Sequence, residues 1–351
     1  MILFKRKLTF IFLLIVNIIF SQKISGIVLD GVTNKPLEGA SVFFNNTAIG
    51  TTTNYNGEFS IAYNKKLKAH LIISFIGYQT QSSSLGNYSV EEKFKIYLYE
   101  SRSVLNEIVL STDDDWSNND ENDWPRELKL KEFKKHYIGE SKNSKSCSII
   151  NEKDIILSYN SKKKKLIAIT KGPIYIKNES LKYLISIELQ HFEVNYSRVS
   201  KNKKHLNADY VFYSGNSFFK SLENTPTIST INLRKETYFG STLHFMRSLS
   251  SEELIKEGFQ IYFEGLQVVP KKYIKIAPID NLNSVSVRLK GRLDIIYDFE
   301  KQSSIKSLVK DFYIDSFGNH FPIEKVKFGG DLGEQRMGDA LPLDYLLNPQ
   351  T

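Results

Sequence analysis

The sequence predicts a mainly β, α+β protein: a small N-terminal sandwich of seven strands, then a larger β-rich region with a few short helices. Three observations lead there. Short runs between Lys23 and Leu98 alternate apolar and polar residues with period two. Turn signals recur between these runs, at intervals of about 10 to 15 residues, which suits an antiparallel sandwich. An acidic stretch then separates this region from a long basic one, and 351 residues suit more than one domain.

The chain starts with Lys5-Arg6-Lys7, an apolar run from Leu8 to Phe20, and Ser21-Gln22. This is the pattern of a secretory signal peptide over residues 1–21, cleaved near Ser21. The alternative is a membrane anchor, but the run falls short of the roughly 20 apolar residues that spanning takes. No cysteine follows it to carry a lipid. The mature chain is expected to be exported, to the periplasm or the outer membrane.

Residues 22–110 form the predicted sandwich. Ala40, Val42 and Phe44 share one face of a strand, as do Phe59, Ile61 and Tyr63, then Leu71, Ile73 and Phe75, then Phe94, Ile96 and Leu98. Asn34-Lys35-Pro36 marks a turn, and Asn56-Gly57 is the pairing that a type I′ hairpin favours.

The segments "ISGIVLDGVTNKPLEGASVFFNNTAIGTTTNYNGEFSI", "LIISFIGYQTQ" and "FKIYLYESRSVLNEIVL" resemble the carboxypeptidase-like regulatory domain. That family is a transthyretin-like sandwich common in exported Bacteroidetes proteins. In carboxypeptidases this sandwich accompanies a zinc peptidase domain, and here a peptidase reading has no residues to carry it. Zinc peptidase chemistry needs His and Glu ligands, and none of the six histidines begins a His-x-x-Glu pair. The same module heads TonB-dependent receptors, yet the residues after Leu110 are too few for their barrel, so no such barrel is expected in this chain.

Residues 111–125, "STDDDWSNNDENDWP", hold six acidic and no basic groups and read as a solvated linker. Trp116 and Trp124 are the only large apolar residues in it. Residues 126–351 form one predicted basic domain with 36 basic against 26 acidic groups. Only nine of the 47 basic residues in the chain are Arg, the side chain that phosphate recognition favours, so no nucleic-acid partner is expected.

Within that domain Leu130, Phe133 and Tyr137 predict a helix ended by Gly139. Lys162, Lys163, Lys164 and Lys165 are placed at the tip of a hairpin, either as a solvated turn or as a patch for an anionic membrane surface or glycan. Ser250 and Glu253 read as a capping box opening a helix that ends at Gly258. Leu243, Met246 and Leu249 fit one face of a shorter helix before it. Hairpins are read in "SVSVRLKGRLDIIYDF" and around Gly318-Asn319. The segments "EFKKHYIGESKNSKSCSIIN", "YFGSTLHFMRSL" and the closing "DALPLDY" resemble the C-terminal domain of a Bacteroidetes envelope family that also carries this sandwich. That resemblance implies architecture and location, and no activity.

The residues support no catalytic site, cofactor or metal. Ser241 and His244 lie three apart without a Gly-x-Ser-x-Gly elbow, so they read as a helix cap and a packed side chain. His244 and Arg247, at i and i+3, are the residues that would face a partner. His320 and Glu324 fall in a strand pattern unsuited to shared ligation. The lone cysteine, Cys147, excludes an intramolecular disulfide and reads as a half-buried thiol. The expected function is a non-enzymatic envelope protein that binds or scaffolds a protein, a glycan or an anionic surface. A hydrolase with a dispersed site in the C-terminal region is the alternative.

Overall fold

Strand β1 (Gln22–Asp30) is the centre of the first sheet, because alternate residues Ile24 and Val28 turn fully inward. It pairs antiparallel with β4 (Glu58–Tyr63) and parallel with β7 (Phe94–Leu98). The second sheet has the order β3-β2-β5-β6, from β2 (Ser41–Phe44), β3 (Gly50–Thr52), β5 (Leu71–Ser74) and β6 (Gln81–Ser83). Three strands and four make the sandwich, with Val42, Phe44, Ile61, Leu71, Ile73 and Leu98 in its core. This computed structural model describes residues 22–64, 66–85, 93–101, 123–279 and 284–345. The signal-peptide reading and most of the acidic linker lie outside the described residues.

Two features of the sandwich differ from the sequence reading. Asn56-Gly57 is not the tip of a hairpin, because β3 and β4 belong to different sheets. The Asn54 side chain accepts hydrogen bonds from the Asn56 and Glu58 amides, and Gly57 takes a φ of 73° to turn the chain between sheets. A side chain at Gly57 would also strike the Val28 carbonyl. The second difference is Phe43, whose alternation places it on the solvent side. It is buried with its neighbour Ile72, because the rest of the protein covers that face.

Beyond residue 123 the buried apolar side chains fall into two clusters. The first surrounds a six-stranded sheet of order β8-β11-β12-β10-β9, with β13 on β12. Its strands are β8 (Cys147–Ile149), β9 (Ile155–Asn160), β10 (Lys165–Thr170), β11 (Ile174–Asn178), β12 (Tyr183–Val199) and β13 (Leu206–Ser221). The 17-residue β12 pairs along its length with β13. It meets β11 around Ile185 and β10 around Val194. Helix α1 (Arg126–Tyr137) packs Phe133 and Tyr137 against Phe192, as its apolar spacing predicts, and Gly139 follows it at positive φ. Trp124 is not linker. It is 3% exposed and stacks on Tyr159 with ring centroids 3.8 Å apart.

The second cluster lies between the sheet β15-β14-β18-β19-β22 and the sheet β16-β17-β20-β21. These strands are β14 (Phe259–Phe263), β15 (Leu266–Gln267), β16 (Ile274–Ile279), β17 (Ser284–Leu289), β18 (Leu293–Tyr297), β19 (Lys301–Ser307), β20 (Phe312–Asp315), β21 (His320–Phe321) and β22 (Val326–Gly329). The segment read as the β17–β18 hairpin instead crosses between sheets, whereas Gly318-Asn319 does join the paired β20 and β21. Helix α2 (Ile228–Tyr238) precedes α3 (Thr242–Ser250), which inserts Phe245, Met246 and Leu249 into this core. The expected capping box fails: Ser250 is the last residue of α3, and its hydroxyl donates back to the Arg247 carbonyl. Residues 251–258 contain no helix, so Glu253 opens none. Among the described residues no helix is long and apolar enough to cross a membrane.

Candidate functional site

Helix α3 lies where its two residues of interest, His244 and Arg247, can be tested by their contacts. Gly240 breaks the chain from α2 at a φ of 70°, and Ser241 caps the new helix, its Oγ accepting the His244 amide at 3.1 Å. The Ser241 hydroxyl is therefore committed to the backbone. The His244 ring is 2% exposed, among Tyr238, Phe239, Phe259 and Tyr297. Its Nδ1 accepts the Gly240 amide at 3.1 Å, which leaves Nε2 to carry the proton and donate to Glu257 at 3.2 Å. Burial lowers the His244 pKa, against the raising effect of Glu257. The ring thus stays neutral, with both nitrogens occupied.

Arg247 is held by backbone. Nε donates to the Phe317 carbonyl at 3.0 Å, Nη2 to Leu343 at 2.8 Å and Nη1 to Tyr345 at 3.0 Å. The guanidinium also lies over the Tyr238 ring. Three carbonyls on two segments use the planar fork that only Arg offers.

A cleft of about 380 Å³ opens beside α3, walled by Tyr238, Arg247, Glu253, Glu257, Val285 and Asp315. Its polar groups are mostly engaged. Asp315 Oδ1 accepts the Phe317 and Asn319 amides, and Oδ2 accepts the Lys68 amide from the sandwich. Burial raises the Asp315 pKa, and these amides oppose that rise. Among the described residues no group of three or more His, Cys, Asp or Glu side chains is placed to hold a metal.

Asp315 was not legible as important in the sequence, nor were the residues that join the sandwich to the rest. The Asn46 amide donates to the Ser217 carbonyl and the Phe219 amide to Thr47, so β13 grips the sandwich loop. Phe43 meets Phe218 with ring centroids 5.4 Å apart. The Leu343 amide donates to the Asn46 carbonyl, and the Ala48 amide to Asp344. The "DALPLDY" segment was the one available signal: it is the strap that Arg247 and the sandwich hold from either side.

The four lysines lie elsewhere, on the six-stranded sheet, and the fold does not bring them to His244 and Arg247. Lys162, Lys163 and Lys164 occupy the β9–β10 turn and are exposed. Lys165 is not at the tip: it is the first residue of β10 and pairs with Glu193 at 3.0 Å. Cys147, half-buried in β8, has its thiol pushed up to about 12 by burial. His320 and Glu324 lie in β21 and in the turn after it, without a contact that would pair them as ligands.

In the sandwich, the turn after β1 and the Ile76-Gly77-Tyr78 element meet in one hydrogen bond, from the Tyr78 hydroxyl to Asp30. Residues 24–110 match the family model of the CarboxypepD_reg-like domain. The N-terminal sandwich is a carboxypeptidase-like regulatory domain. No curated protein matches the chain. The regulatory domain is a non-catalytic module, and Gly26 of its first strand gives the Phe59 and Phe94 side chains room to close over β1. Its contacts to β13 and to the closing segment combine main-chain hydrogen bonds with the side chains of Phe43, Asn45, Asn46 and Asp344.

Proposed function

We propose that this is an exported, non-enzymatic protein of the cell envelope that binds or scaffolds another envelope component. One observation supports it above the others. At Ser241, His244 and Glu257, the serine caps a helix and the histidine is locked between a backbone amide and the glutamate. A nucleophile needs its base within hydrogen-bond reach, and here the base is turned to other partners. The regulatory domain adds no chemistry, and it is fastened to both later cores as part of the body that presents a surface.

The test is direct. The tagged full chain is expressed in its own cell, and envelope and cytosolic fractions are separated. The expected result is a mature protein starting near Gln22, in the envelope, that retains a crosslinked envelope component. An uncleaved chain in the cytosol would overturn the location. Turnover of ester or glycoside substrates by the purified chain, lost in a C-terminal-region variant, would overturn the non-enzymatic reading in favour of a hydrolase.

A further inference from the structure

The cleft beside α3 is lined by groups that have spent their hydrogens and kept their lone pairs. The Ser248 hydroxyl donates to the His244 carbonyl at 2.8 Å. The Ser250 and Ser251 hydroxyls donate to the Arg247 carbonyl at 2.9 and 3.0 Å. Arg247 itself directs Nε, Nη1 and Nη2 at three carbonyls, and the neutral His244 gives its Nε2 proton to Glu257. The capacity that remains is for accepting hydrogen bonds.

Carboxylates add charge to that bias. Glu257 is about one-third exposed, and His244 is its only side-chain hydrogen-bond partner among the described residues, on Oε2. Asp315 is 3% exposed, is held by three backbone amides and forms no ion pair among the described residues. Glu253 meets Lys256 through Oε1 alone, and that lysine reaches out into solvent. Three carboxylates thus face one guanidinium around the cleft, in a region of the chain that is otherwise basic.

Tyr238 supplies an independent sign. Its ring packs against Phe239, His244 and Arg247 and is 4% exposed. It lines the cleft, yet its hydroxyl makes no hydrogen bond among the described residues. A polar group withdrawn from water in this way costs free energy until a partner meets it. Val285 and Ile314 give the cleft an apolar side.

We propose that this cleft binds an alkylammonium group. An ammonium carries three donors and no acceptor, which matches a wall rich in acceptors, and Glu257 and the Tyr238 hydroxyl receive it. The methylene stem lies against Val285 and Ile314, as amphipathic side chains do. A sugar offers acceptors as well as donors, and its acceptors would find few free donors here. The same ammonium end occurs on a peptide lysine and on a free diamine. The inference goes beyond the binding reading above and does not depend on which envelope component the chain retains.

Isothermal titration calorimetry of the full chain tests it, with Nα-acetyl-lysine amide standing for a peptide lysine and diaminobutane for a free amine. At least one is expected to saturate the cleft, and the tighter of them names the source. Nα,Nε-diacetyl-lysine amide keeps the stem without the charge and should bind about tenfold more weakly, or worse. Glu257→Gln keeps an acceptor for His244, removes the charge and should weaken binding about tenfold. Tyr238→Phe should weaken it about threefold to tenfold and leave the thermal midpoint unchanged, since the hydroxyl has no bond to lose. If Glu257→Gln fails to fold, Tyr238→Phe alone decides. The control Glu127→Gln, on α1, removes the same charge from another part of the protein and keeps affinity at the wild-type value. No saturable binding of either amine overturns the proposal. Equal binding of the diacetylated compound, unchanged affinity in the cleft variants or equal loss in the control overturns it too.

Discussion

The Tyr78 hydroxyl donates to Asp30 Oδ2 at 2.6 Å, joining the turn after the first strand of the sandwich to the bend after its fifth. The other Asp30 oxygen accepts the Val32 and Thr33 amides and the Thr33 hydroxyl. One carboxylate therefore organises two turns 48 residues apart. The Tyr78 bond, with help from Thr33, holds Asp30 well below the usual carboxylate range, and it pushes Tyr78 up to about 12.

A pH dependence follows from this pair. The folded Asp30 stays ionised where the unfolded chain takes up a proton, near pH 4. Its contribution is complete above that pH and is lost as acid approaches the folded value. Tyr78→Phe is expected to lower the thermal midpoint at pH 6, with a gap to wild type that narrows towards pH 2. A gap independent of pH would contradict the assignment.

His244 titrates in the same direction for a different reason. Its pKa is lowered by burial, so acidification protonates the unfolded chain first, at about pH 6.5. Its contribution is complete above that value and declines below it. His244→Gln should flatten the fall in thermal midpoint between pH 7.5 and 5.5, measured by circular dichroism.

Arg247 ties α3 to Phe317, Leu343 and Tyr345. Arg247→Met leaves three carbonyls without their donor and should cost about 2–4 kcal/mol in chemical denaturation. Arg247→Lys should not restore it, since one ammonium cannot reach carbonyls spread over two segments. Limited proteolysis of either variant should cut first within residues 336–345.

Cys147 offers a check on the core of the six-stranded sheet. With its thiol raised to about 12, it should react with a thiol reagent at pH 8 roughly a hundredfold more slowly, or slower still, in the native than in the denatured chain. Fast native labelling would mean that β8 is exposed.

Much of the architecture was legible because it depends on local pattern. Period-two alternation located the sandwich strands, and Leu130, Phe133 and Tyr137 located α1, since each pattern reports which side a residue faces. The capping box at Ser250 was misread because the same residue types close a helix as readily as they open one. Asn56-Gly57 was misread because a turn sequence does not say whether its strands share a sheet. His244 and Arg247 were singled out as a recognition face, and the contacts around α3 turn one into a packed ring and the other into a clamp.

The sequence by itself determined the sandwich, the helix after the linker and the basic character of the residues beyond it, all properties of segments a few residues long. Only the tertiary structure decided that Phe43 and Ile72 are inside and that Trp124 belongs to a core. These depend on which strands pair and which faces meet, and such contacts join residues too distant in the chain for any local pattern to record.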